Sequence, residues 1–170
     1  ALSPLNLGFL LFPFVDWWSF LIILQPLLAG LFTYMFARSI KISGIGSLVS
    51  SISFMFCGFM TSWMGYGTLG YAVLFIPLAL FAVEKYFTSQ KSRYLLLLSA
   101  TIPLSFFSGH FQMSLYFLIS VCVYILYKYI SSKKLSTFLV LYLFIFFGIL
   151  ICAVQLLPSM ELYLQSFRST

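Results

Sequence analysis

Apolar residues run along this chain in long stretches, and short polar clusters separate them. Within the stretches no polar face recurs: Leu95-Leu96-Leu97-Leu98 and Phe144-Ile145-Phe146-Phe147 are apolar all round. A strand of a membrane barrel alternates apolar and polar positions over about ten residues. A surface helix of a soluble protein keeps one polar side. A helix immersed in lipid needs neither, but it needs about 20 mostly apolar residues to cross the bilayer. The pattern predicts six spans, at 17–37, 44–62, 68–84, 94–109, 111–128 and 137–157. The expected fold class is all-α, a polytopic transmembrane helix bundle forming a single domain over 1–170. The stretch 5–15 is apolar but too short to cross, and is expected to lie in the outer leaflet. The opening Ala1-Leu2-Ser3-Pro4 has neither Met nor a basic leader, which predicts an internal piece of a longer protein.

Details within the spans refine this picture. Ser43, Ser47 and Ser51 recur every four residues beside Gly46 and Ser50, a small-residue seam that lets helices approach closely. It predicts that the second span sits inside the bundle. Gln25-Pro26 and Pro103 fall within spans, where proline removes a backbone hydrogen bond. The Gln25 amide is expected to satisfy the groups that Pro26 frees.

Charge then orients the bundle. Eight of the nine Lys and Arg residues fall in alternate interruptions: Arg38 and Lys41; Lys85, Lys91 and Arg93; Lys128, Lys133 and Lys134. Only Arg168 falls in the other set. The positive-inside rule makes the basic loops cytoplasmic, so both ends of the chain are expected outside, in a multi-pass protein of the cell membrane. Trp17, Trp18, Trp63, Tyr66 and Tyr71 gather at the expected outer ends, and Tyr86, Tyr94, Tyr127 and Tyr129 at the inner ends, as headgroup anchors do.

Composition narrows the class further. Of 170 residues 62% are hydrophobic and 7% charged, against about 25% charged in soluble domains. So few charges cannot cover a water-facing surface. An ordinary soluble enzyme, a disordered tail and a nucleic-acid-binding module are thereby excluded. Cys57, Cys122 and Cys152 sit singly in apolar runs, as free thiols. With one histidine and no paired cysteines, no metal site is expected, and no cofactor is implied. Gly65-Tyr66-Gly67-Thr68-Leu69-Gly70 matches G-x-G-x-x-G but joins two membrane helices, so a tight turn is expected rather than a nucleotide site.

Asp16, His110, Gln112, Glu161, Gln165 and Arg168 all fall toward the expected outer side. Span 94–109 would be only about 24 Å long, shorter than a bilayer core of about 30 Å. His110 would then sit below the outer surface, in a recessed cavity. Each candidate also has a plainer role open to it. His110 could be a turn histidine bonded to the backbone, Arg168 a headgroup charge or a partner of Glu161, and Asp16 an interfacial carboxylate or helix N-cap.

Three stretches together resemble a known family. They are Ser3-Pro4-Leu5-Asn6-Leu7, Ser108-Gly109-His110-Phe111-Gln112, and Gln155-Leu156-Leu157-Pro158 through Glu161 to Ser166-Phe167-Arg168. In this order, between spans of this size, they resemble the YfhO-type bacterial membrane proteins of the C-type glycosyltransferase superfamily. The resemblance covers nearly the whole chain. It implies transfer of a sugar from a polyprenyl-phosphate-linked donor to a cell-envelope acceptor, on the outer face of the membrane. It also implies that His110, Gln112, Glu161 and Arg168 line the donor side of the cavity, with Asp16 a further candidate. The family's acidic catalytic residue would lie in a loop before Ala1. The contrasting readings are a component that translocates lipid or polysaccharide, and a bundle that supports another domain.

Overall fold

The computed structural model describes residues 2–165, apart from the side chain of Tyr163, and holds no strand among them. A 3-10 helix, Pro4–Leu10, precedes α1 (Phe14–Ser39). Then come α2 (Gly44–Met55), α3 (Gly58–Ser62), a 3-10 turn at Met64–Tyr66, α4 (Leu69–Val73) and α5 (Phe75–Ser89). The last helices are α6 (Ser92–Phe107), α7 (Phe111–Ser132) and α8 (Leu135–Leu164). Five segments are long and apolar enough to cross a membrane: Phe14–Ser39, Gly44–Ser62, Leu69–Ser89, Phe111–Ser132 and Leu135–Leu162. The sixth expected span is the apolar helix α6, 16 residues long, or about 24 Å at 1.5 Å per residue. The protein is a multi-pass membrane helical bundle.

Contacts between distant residues show which helix ends lie together. Lys128 near the end of α7 meets Glu84 near the end of α5. Arg38 of α1 and Lys85 of α5 line one pocket. Gln90, just after α5, bonds Thr137 at the start of α8. These define the basic end. At the opposite end the backbone of Leu2 donates to Gln155 of α8, whose Nε2 donates to the Phe106 carbonyl at the end of α6. The helices therefore alternate in direction, and both ends of the described chain lie away from the basic loops.

The core forms around α5 and α6, with Ala79, Ala82, Val83, Leu98 and Ile102 fully enclosed. Large apolar side chains on α1, α2, α7 and α8 face outward, among them Leu27, Ile52, Ile119 and Val154. In water such a surface would drive aggregation; in a bilayer it is the lipid-facing surface.

The small-residue seam does less than its spacing suggested. Ser47 and Ser51 are buried against α1, and the Ser51 hydroxyl donates to the Gly30 carbonyl at 2.7 Å. Ile45, Leu48, Val49 and Ile52 of the same helix are exposed. The second span is thus peripheral, not interior: one seam seats one neighbour, whereas a central helix must be enclosed on all sides. Segment Leu69–Ser89 is the most enclosed of the five.

The prolines are also resolved differently from expectation. Gln25 is fully buried, yet neither its Oε1 nor its Nε2 has a hydrogen-bond partner among the described residues. Pro26 leaves the Ile22 carbonyl without its helical donor; the neighbouring Leu21 carbonyl accepts from the Tyr71 hydroxyl at 2.6 Å. Tyr71 is consequently a buried inter-helix strut and not a headgroup anchor, and Tyr86 is likewise buried. In α6, Pro103 cannot donate to the Ser99 carbonyl. There α8 passes closely, and a Cβ on Gly148 would stand 2.8 Å from that carbonyl oxygen.

The Gly65–Gly70 stretch is the tight connection from α3 to α4. Gly67 takes φ 64° under the ring of Trp18, a conformation that costs glycine little.

Candidate functional site at the hairpin end

Site geometry begins with the short link between α6 and α7. Gly109 adopts φ 92°, which turns the chain within two residues. His110 then serves as the N-cap of α7, with Nδ1 accepting from the backbone N–H of Met113 at 3.4 Å. A ring nitrogen here satisfies one of the donors that every helix start leaves unpaired.

Serines hold this hairpin to the core. The Ser114 hydroxyl donates to the Ser105 carbonyl at 2.9 Å, and the Ser105 hydroxyl donates to the Ala72 carbonyl at 2.8 Å. Both side chains are fully buried. The turn is therefore tied to α4 and is not a free loop tip.

Across from it, α8 supplies Gln155, an amide within a run that is otherwise apolar from Ile149 to Leu157 except for this residue. Gln155 bridges the Phe106 carbonyl and the Leu2 N–H. An open groove of about 620 Å³ lies between the two elements, lined by Phe106, Gly109, Phe111, Gln155, Leu156, Ser159, Met160 and Leu164. Its walls are mainly hydrocarbon, with a few fixed polar groups, the composition usual in small-molecule and lipid sites. Pro158 lacks an N–H to continue the helix ladder, and Ser159 donates its hydroxyl to the Gln155 carbonyl at 2.7 Å.

The sequence-derived candidates are distributed around this groove rather than gathered in it. His110 is half-buried at the helix start. Gln112 is exposed, and its Nε2 donates to the Tyr116 hydroxyl at 2.7 Å. Glu161 is exposed on the last turns of α8. Asp16 is exposed in the first turn of α1, where a carboxylate complements the helix dipole; Pro13, not Asp16, is the N-cap. Arg168 lies outside the described residues. Among the described residues His110, Gln112, Glu161 and Asp16 share no hydrogen bond or ion pair, and no cluster of possible metal ligands occurs. The groove's amide comes from Gln155, which heads the third of the motifs but was not among the candidate site residues. Its isolation in an apolar run was the available signal.

A second polar cluster also escaped the sequence reading. Glu84 accepts from the Tyr124 hydroxyl at 2.9 Å and pairs with Lys128 at 2.9 Å, joining α5 to α7 at the basic end. Its signal was the presence of a lone acid among the basic interruptions.

No protein-family model matches the chain, and neither a curated protein nor a solved structure matches it.

Proposed function

We propose that this chain is the lipid-embedded, donor-holding part of a glycosyltransferase. It would move a sugar from a polyprenyl-phosphate carrier to a cell-envelope acceptor. The work would take place at the hairpin end, on the side of the cell membrane away from the cytoplasm, since the basic loops favour the cytoplasmic side. The groove of about 620 Å³ carries this reading. Its apolar walls suit an isoprenoid chain, and it sits within a bundle whose outer faces are themselves apolar. The motif resemblance supplies the reaction class. On that resemblance Arg168 stabilises the phosphate as the glycosyl bond breaks, while His110 and Gln112 orient the headgroup.

The test uses the full-length protein in membranes supplied with a radiolabelled polyprenyl-phosphate sugar. Met160→Trp fills the groove from an exposed position and Leu156→Trp from a half-buried one at the edge of the core, and each should reduce transfer at least tenfold when normalised to folded protein. Arg168→Ala should lower the rate by about two to three decades, the usual loss when a charged donor to a transition-state oxyanion is removed. Wild-type rates in all three variants would refute the reading. Crosslinking of the carrier at Met160 without any sugar transfer would instead identify a lipid-translocation component.

A further inference from the structure

A second pocket opens at the basic end, remote from the hairpin groove and independent of the function proposed for it. Tyr34, Met35, Arg38 and Ser39 of α1 face Phe81 and Lys85 of α5 across a space of about 440 Å³. Two cations therefore converge on one cleft between membrane helices. The Arg38 guanidinium donates to the Ile42 carbonyl at 2.8 Å, which holds it beside the helix end. Lys85 stands 5.8 Å from the centre of the Phe81 ring, so an aromatic face backs the ammonium.

What could neutralise these charges is committed elsewhere. Glu84 neighbours Lys85 in sequence, but its carboxylate is bound by Lys128 and Tyr124 of α7. Among the described residues Arg38 and Lys85 form no ion pair. Asp16 is on the first turn of α1, at the opposite end from Arg38, and Glu161 is on the last turns of α8. Arg93 stacks on Tyr94, whose ring meets Phe81 edge-on, so a third cation stands next to the cleft.

The approach to the pocket is apolar. Leu27, Leu31, Met35 and Ser39 follow one another at four-residue intervals along α1, which places them on one helix face. Leu27 and Leu31 are both more than half exposed. That face passes from exposed hydrocarbon in the middle of the helix to hydroxyl and guanidinium at its end. A phospholipid has the same order of groups: acyl chain, then phosphate.

The geometry points to a binding site for the phosphate of an anionic phospholipid, seated between Arg38 and Lys85 with its acyl chain along Leu27 and Leu31. Basic pockets between helices at this level are suited to anionic headgroups, whereas a zwitterionic lipid brings its own cation to the cleft.

Native mass spectrometry of the intact protein can test this after release from nanodiscs of phosphatidylcholine alone or with one-fifth phosphatidylglycerol. Retained phosphatidylglycerol is expected from the mixed discs. Arg38→Gln and Lys85→Gln should each weaken retention about fivefold, the scale of one Lys or Arg near an anionic surface. Lys91→Gln with Lys133→Gln removes two charges at the same end but outside the pocket and should leave retention unchanged. Leu31→Ser, which keeps both cations, should also weaken it. Equal loss in the Lys91/Lys133 control would overturn the site in favour of general surface attraction. Displacement of the lipid by millimolar inorganic phosphate, with no effect of Leu31→Ser, would overturn the lipid assignment and leave a free-phosphate site.

Discussion

Gln25 and Gly70 offer a sharp test of the packing. The Gln25 amide is fully buried without partners among the described residues, and a Cβ at Gly70 would lie 2.2 Å from its Nε2. A buried polar group without a hydrogen bond costs about 1–3 kcal/mol. Methionine is close to glutamine in length, though linear where the amide forks, and near-isosteric swaps usually cost under about 1.5 kcal/mol. Gln25→Met should therefore stabilise the bundle, by about 1–2 kcal/mol once both effects are set against each other. Gly70→Ala should act in the opposite direction. Helix propensity favours alanine by about 0.5–1 kcal/mol, but overpacking a closed site costs about 1–3 kcal/mol, so the clash wins. In a Gln25→Ala background the amide is gone and the new methyl has space. Gly70→Ala should then become neutral or favourable, giving a coupling energy of about 0.5–3 kcal/mol. The assay is equilibrium unfolding in bicelles by titration with a denaturing detergent, followed through the fluorescence of Trp17, Trp18 and Trp63. Destabilisation by Gln25→Met of 1 kcal/mol or more, or strict additivity of the two sites, would refute the reasoning.

Two further outcomes are expected. Glu84→Gln removes the charge that joins α5 to α7; hydrogen bonds to charged groups are worth about 1.5–3 kcal/mol, and the same unfolding assay should register a loss of that order, with Lys128→Met less damaging because it leaves Glu84 bonded to Tyr124. Orientation can be read by labelling: with the three native cysteines replaced, Ser132→Cys in the Lys133–Lys134 turn should resist a membrane-impermeant thiol reagent added outside intact cells, and ready labelling from outside would invert the assigned topology.

The architecture was largely legible before any tertiary information. Long all-round apolar runs admit only helices in lipid, because backbone groups there have no water to bond. The alternation of basic interruptions also anticipated which helix ends meet. Boundaries moved by only a few residues at most starts, as in Gly44–Ser62 against 44–62, because capping and turn residues mark them.

Depth within the bundle was not legible, and that is where the site was decided. Lipid and a protein neighbour are both apolar, so hydrophobicity does not say which helix is central. The Ser43–Ser47–Ser51 seam looked interior because small residues mark close approach; the structure shows that such a seam seats α1 alone. The same ambiguity hid the partners of polar groups. Gln25 stood beside the proline it was expected to serve, yet its amide bonds nothing among the described residues, while Tyr71, fifty residues away, braces α1 at the Leu21 carbonyl. Gln112 and Gln155 both lay in the quoted motifs, yet only Gln155 lines the groove, brought there by the return of α8. Spacing along one helix determines which residues share a face. Only the packing of several helices determines what that face meets, because the partners come from segments whose separation in sequence carries no record of their distance in space.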